Sequence, residues 1–198
     1  MFKGIIEAVG AITKLLIKDN QIFLVVNAPE LKAKVVPGSS VACNGACLTV
    51  TSVMDSSLEF YLSPETFQKT NFRTFKEGSR INLETSMKIG DTVDGHFVQG
   101  HVDTTTKITD IQQSGESHMI TFALTKEISP YIAYKGSVCI DGTSLTVNGV
   151  SDDSFSVNII PYTWSNTIFR YNEIGDEVNV ESDLLARYLK RLLDQSQH

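Results

Sequence analysis

Sliding the chain against itself by 97 residues lays SVACNGACLTV (40–50) on SVCIDGTSLTV (137–147), with six of eleven positions identical. The same shift matches LSPETFQKTNF (62–72) to IIPYTWSNTIF (159–169) and EGSRINLET (77–85) to IGDEVNVES (174–182). A shift of 96 then sets MFKGIIEAVGAIT (1–13) on FVQGHVDTTTKIT (97–109), pairing Gly4 with Gly100, Ile5 with His101 and Glu7 with Asp103. Blocks in one register across domain-sized lengths mean a duplication: two similar domains, residues 1–88 and 97–183, rather than a solenoid of short units. Any fold for this chain must be two copies of one fold.

Each copy reads as strands. β-Branched runs such as SVACNGACLTVTSV and VCIDGTSLTVNGV are bounded by Gly, Asp, Asn and Ser at intervals of about ten residues, the pattern of a small antiparallel barrel or sandwich. Brief helical turns are expected from Pro64 to Thr70 and from Pro161 to Thr167, where alternation lapses after proline. Only the tail departs from the repeat. LLARYLKRLLDQSQH (184–198) carries apolar residues at 184, 185, 188, 189, 192 and 193, the stripe of an amphipathic helix, with Ser182 or Asp183 placed as its N-cap. Such a short helix needs a surface to cover it, either its own barrel or another subunit.

A formal charge of −6 with no Lys/Arg cluster argues against a nucleic-acid partner, because phosphate contacts require a concentrated basic surface. No long apolar run suggests a membrane span, and the first residues lack the core and cleavage site of a signal peptide, so a cytosolic protein is expected. Cys43, Cys47 and Cys139 form no CxxC pair and read as free thiols, with neither a disulfide framework nor a zinc site. Neither GxGxxG after a strand nor GxxxxGK[ST] occurs, so no dinucleotide or nucleoside triphosphate site is expected.

Where duplicated domains diverge at matched positions, their duties have divided. At the equivalent turns NGACLT and DGTSLT, one copy presents Cys47 and Thr49 and the other Ser144 and Thr146, each pair at i, i+2 and so on one face of a strand. A thiol and a hydroxyl can each donate, accept weakly or act as a nucleophile, though ordinary strand residues would give the same spacing. His101 is expected on a strand, His96 has the wrong parity to share its face, and His118 and His198 read as exposed bystanders. A triad of Ser144, His101 and Asp141 or Asp183 is conceivable, but triads are recognised by geometry and not by order.

MFKGIIE, NGACLTV, SPETFQKTN, GHFVQGHVD, YKGSVCIDGTSLTV and the IIPYT segment together resemble riboflavin synthases of the duplicated-barrel kind, in the lumazine and yellow fluorescent protein superfamily. The resemblance spans essentially the whole chain. It implies an all-β fold of two tandem six-stranded Greek-key barrels, a C-terminal helix over 184–198 that assembles a homotrimer, and no metal or organic cofactor. The implied reaction is a dismutation, in which two molecules of 6,7-dimethyl-8-ribityllumazine exchange a four-carbon unit to give riboflavin and 5-amino-6-ribitylamino-uracil. Association with lumazine synthase is a further implied partnership.

Carried onto this sequence, the resemblance assigns an N-terminal pocket of Gly4, Ile5, Ile6, Cys47, Leu48, Thr49, Tyr61, Leu62, Ser63, Pro64, Glu65 and Thr66. It assigns a C-terminal pocket of Gly100, His101, Val102, Lys135, Ser144, Leu145, Thr146, Asn158, Ile159, Ile160, Pro161, Tyr162 and Thr163. Cys47, His101, Ser144, Thr146 and Asp183 are the implied catalytic residues, and the two pockets meet across a subunit boundary. Asp94 stands where the family usually has glycine, and Tyr162 where histidine or glutamate is common, so no base is expected at Tyr162. Non-catalytic lumazine and flavin antenna proteins share the fold and the repeat. Retention of GHFVQGH and of the second SLTV favours the enzyme.

Overall fold

The computed structural model describes residues 1–18 and 21–196. The first half closes a six-stranded barrel from β1 (Ala8–Lys18), β2 (Gln21–Asn27), β3 (Ser40–Cys43), β4 (Ala46–Met54), β5 (Ser57–Leu62) and β6 (Arg80–Thr85). The second repeats it with β7 (Thr104–Ser114), β8 (Ser117–Ala123), β9 (Ser137–Ile140), β10 (Thr143–Val150), β11 (Ser154–Ile159) and β12 (Glu177–Ser182). Around the first barrel the order is β1-β2-β5-β4-β3-β6, and all pairings are antiparallel. The hairpin-linked β3, β4 and β5, with β2 returning beside β5, form a Greek key.

Alternation decides which face is inside. Leu24 and Val26 on β2, Leu58, Phe60 and Leu62 on β5, and Ile81 and Leu83 on β6 fill the first barrel; Ile120, Phe122, Phe155, Val157, Ile159, Val178 and Val180 fill the second. Closing six short strands demands sharp bends, and these fall at matched irregularities: between Ile12 and Lys14 on β1 and between Ile108 and Asp110 on β7, then between Val50 and Ser52 on β4 and between Val147 and Gly149 on β10. The repeat conserves its curvature devices as well as its strands.

The turns expected after Pro64 and Pro161 are α1 (Pro64–Lys69) and α2 (Pro161–Asn166), each with proline in its first turn. The tail forms α3 (Leu184–Ser196); the last two residues of the expected span 184–198, including His198, lie outside the described residues. Of the two capping candidates Asp183 is the one used, its carboxylate accepting from Leu185 N at 2.9 Å, whereas Ser182 is buried and bonded to Asp103.

The barrels meet through the tips of β3–β4 and β9–β10. Both tips are two-residue turns with positive φ, Asn44 and Gly45 at 43° and 80°, Asp141 and Gly142 at 43° and 81°, as type I′ hairpins require. A Cβ on either glycine would lie 2.8 Å from the amide nitrogen of the other, so only glycine permits the contact. Reciprocal bonds seal the seam: Asn71 N donates to Asn179 Oδ1 and Ile168 N to Asn82 Oδ1, while Asn82 Nδ2 donates to the Asp141 carbonyl and Asn179 Nδ2 to that of Asn44. Buried polar groups satisfied in pairs fix one mutual orientation of the barrels.

Candidate ligand sites

Ahead of each barrel runs a leader, residues 2–7 and 98–103. The leaders pair with each other through Phe2 and Val98, whose amides and carbonyls exchange bonds of 2.7 and 3.0 Å. Each then binds a carboxylate at the end of its own barrel. Glu84 accepts from the amides of Lys3 and Gly4, and Glu181 from those of Gln99, Gly100 and His101. Burial pushes Glu84 up to about 7, against backbone amides that favour its charge, and raises Glu181 in the same way.

From those anchors the leaders cross to the opposite barrels. Ser144 N on β10 donates to the Gly4 carbonyl at 2.8 Å, and Cys47 N on β4 donates to the Gly100 carbonyl at 2.9 Å. Both glycines have positive φ, and a Cβ there would sit 2.6 Å from Ser144 Cβ or 2.5 Å from Cys47 Cβ. This corrects the grouping expected from sequence. Gly4, Ile5 and Ile6 lie with Ser144, and Gly100, His101 and Val102 with Cys47; Val102 packs against the first barrel's core. The exchange follows from where each strand's free edge amide points, which a linear repeat does not record.

Around Cys47 lies a cavity of about 430 Å³ lined by Cys47, Glu65, Thr66, Lys69, Gly100, His101, Val102, Asp103 and Arg187, among others. α1 places Glu65 and Thr66 there, since Ser63 Oγ caps the helix by accepting from Thr66 N at 3.0 Å, with Pro64 in the first turn. Cys47 is half-buried and Thr49 exposed on the same outer face of β4. Leu48 and Leu62 turn into the barrel core, as does Ile159 in the second barrel, so their side chains are closed to a ligand; period-2 geometry puts them opposite their neighbours. Tyr61 is exposed, edge-on to Phe23.

Around Ser144 stand Gly4 and, on the outer face of β10, exposed Thr146; Leu145 packs against the core. Ile160 precedes α2, which carries exposed Pro161 and Tyr162 and half-buried Thr163. Lys135 has φ 65° and its ammonium stands over the Tyr134 ring, while exposed Asn158 donates its backbone amide to Asn148 Oδ1. The segment 97–103 forms no strand apart from the Val98 bridge. His101 is therefore an exposed loop residue and not a strand residue, and the parity argument that set His96 aside does not apply.

His96 is the residue that sequence reasoning missed. Its Nδ1 lies 2.6 Å from Ser144 Oγ. Burial lowers the pKa of His96, opposed by the nearby charge of Asp183, so the neutral imidazole is favoured and can take the hydroxyl proton. The conceivable triad with His101 is not assembled: the histidine that meets Ser144 is His96, with the charge of Asp183 near by. Asp141 belongs to the barrel seam, bonded to Asn71 and Asn179. His118 is no bystander either, since it stacks on Trp164 at 3.7 Å. Glu84 and Glu181 were visible as a matched pair in the repeat, without a sign that they bind the leaders.

The lumazine binding domain family matches this chain twice, over residues 3–86 and 99–183. Riboflavin synthase of Photobacterium phosphoreum is 41% identical over 194 residues, covering 98% of this chain and 89% of that one. Riboflavin synthase of Bacillus amyloliquefaciens is 38% identical over 197 residues, covering 100% and 92%, and that of Schizosaccharomyces pombe is 38% identical over 196, covering 98% and 94%. Among solved structures, LumP complexed with riboflavin superposes with a TM-score of 0.86 at 24% identity, covering 92% of this chain and 99% of that one. LumP complexed with 6,7-dimethyl-8-(1'-D-ribityl) lumazine gives 0.84 at 23%, with the same coverage. These two likenesses concern the fold alone.

Proposed function

The chain belongs to the riboflavin synthase family, and we propose that each of its two crossed sites receives one molecule of 6,7-dimethyl-8-ribityllumazine. The reaction is the dismutation of two such molecules, one giving up a four-carbon unit to become 5-amino-6-ribitylamino-uracil and the other becoming riboflavin. Identical substrates must meet face to face in related poses yet play different parts. A duplicated site with one chemical difference meets both needs.

That difference is the observation carrying the assignment of roles. Ser144 Oγ bonds to His96 Nδ1 at 2.6 Å, whereas the matched Cys47 faces the cavity shared with His101. On this reading the His96–Ser144 pair handles the proton of the substrate's C7 methyl group or adds its oxygen at C7, and Asp183 tunes the histidine. Loss of that methyl proton leaves an anion delocalised over the ring, so a modest base and good positioning suffice. Thr146, Lys135 and the α2 residues Tyr162 and Thr163 contribute binding, as do Glu65 and Thr66 on the other side. A simple ligand carrier has no need of a half-buried histidine poised on a serine, which favours the enzyme over the antenna reading.

The assembly belongs to the same proposal. Residues 1–88 and 97–183 act as two lumazine-binding domains, and α3, within the tail 184–198, as an oligomerisation helix. Leu185, Tyr188, Leu189, Leu192 and Leu193 are each about 60% exposed or more, an apolar stripe that a homotrimer would cover. The N-barrel of one subunit would then face the C-barrel of its neighbour, completing each active site between chains. No helix among the described residues is long and apolar enough to cross a membrane, and a cytoplasmic enzyme, associating with lumazine synthase, fits the reaction. The test is direct: purified protein supplied with 6,7-dimethyl-8-ribityllumazine and no added cofactor is expected to develop riboflavin fluorescence. Tight binding without product would overturn the enzymatic reading.

A further inference from the structure

The two leaders are held in nearly identical ways, and the place where they differ points to Arg187. In the first half Glu7 Oε1 accepts from the amide and hydroxyl of Thr85 at 2.9 and 2.6 Å, and Glu7 Oε2 meets Lys34 Nζ at 2.6 Å. In the second half the matched Asp103 accepts from the amide and hydroxyl of Ser182 at 2.8 and 2.7 Å. Its other oxygen meets Arg187 Nη2 at 2.8 Å. Acid and hydroxyl are repeated, but the cation is not.

Lys34 and Tyr131 occupy matched positions: Lys34 N donates to the Leu31 carbonyl and Tyr131 N to the Ile128 carbonyl, both at 2.9 Å. The second copy thus has a tyrosine where the first has its lysine. Its cation comes instead from the first turn of α3, an element with no equivalent in the first half. There Asp183 holds the helix start, its carbonyl accepting from Arg187 N. Asp103, Val102, His101 and Arg187 together line the cavity beside Cys47.

We propose that Arg187 is a positioning residue of the Cys47-side site, replacing the lost counterpart of Lys34 and clamping the leader that carries His101 over the cavity. The proposal rests on reading that cavity as a lumazine site. It gives α3 a duty within its own chain besides assembly. Arginine is suited to it, because its long stem carries a permanent charge from α3 to Asp103, where Nη2 meets the carboxylate.

The experiment compares the full-length protein with Arg187→Met and with Arg187→Met combined with Tyr131→Lys, which restores a cation at the position Lys34 occupies in the first barrel. In Arg187→Met, KM for 6,7-dimethyl-8-ribityllumazine and the dissociation constant for riboflavin are expected to rise about tenfold, with a smaller change in kcat. The double variant is expected to recover most of that loss, and sedimentation to be the same in all three. Unchanged KM and riboflavin affinity in Arg187→Met would overturn the proposal. So would a double variant that regains thermal stability without regaining affinity. Should the unsubstituted protein turn over no lumazine, the functional reading fails by itself. Hydrogen exchange at the amides of Gln99, Gly100 and His101 then still decides: faster in Arg187→Met and slowed again in the double variant supports the clamp, and no difference overturns it.

Discussion

His96 and Ser144 stand 2.6 Å apart although 48 residues separate them, and the pair makes a sharp expectation. His96→Gln is expected to lower kcat by about 10²-fold while riboflavin affinity changes little, since it removes a proton acceptor rather than a binding surface. Steady-state kinetics beside a fluorescence titration would check this, and an unaffected kcat would return the role to His101. Asp141 offers a second test, of stability. Burial raises its pKa from 3.8 to about 8, so the folded protein keeps a proton that the unfolded chain releases near 4. Stability from this group is complete below about 4 and falls as pH rises towards 8. The matched residue in the first barrel is Asn44, which makes Asp141→Asn a conservative change. The variant is expected to lose that downward slope and to melt above the parent at pH 8 and higher, as measured by thermal unfolding across pH. The chemistry of single residues was half legible in the sequence. Cys47 and Ser144 stood out because copies can be compared, whereas His96 was set aside by an alternation rule that holds only where the chain is a strand.

At the scale of elements the leaders are the main discovery, and glycine is their weak point. Gly100→Ala places a methyl 2.5 Å from Cys47 Cβ in a backbone with φ 81°. Either the leader moves or the strand does, at a cost of about 1–3 kcal/mol. Ligand affinity on the Cys47 side is expected to fall about tenfold or more, with the Ser144 side spared. Gly4→Ala is expected to do the reverse, because it presses on Ser144. Stoichiometric titration with riboflavin separates the two, and a defect on the same-numbered barrel would contradict the crossing. A fragment of residues 1–88 lacks the loop that covers Cys47. It is expected to bind riboflavin only when two copies exchange leaders, so affinity and dimer formation should rise together with concentration. Strands, hairpin turns and both proline-initiated helices could be read from spacing and turn chemistry. The exchange could not, because a leader docked on its own barrel and one docked on its twin satisfy the same repeat.

For the molecule as a whole, the clamp and the trimer contact proposed above would give α3 both of the roles that the sequence offered as alternatives, a cap on its own barrel and a contact to another subunit. Ending the chain after Asp183 removes Arg187 together with an exposed stripe of four leucines and Tyr188. Burying three such leucines contributes on the order of 5 kcal/mol. Truncation is therefore expected to weaken self-association and, through the loss of the clamp, riboflavin binding beside Cys47. Sedimentation and titration of the shortened protein measure the two losses independently. The crossed leaders also bear on how the chain is made. As it emerges from the ribosome the first barrel can close, yet Phe2 finds Val98, and Cys47 N finds the Gly100 carbonyl, only once the start of the second copy has emerged. Its own leader waits longer, until Ser144 has been synthesised. Glu181 and Arg187, which hold the leader over Cys47, are made later still, so neither site can be complete until both halves are out.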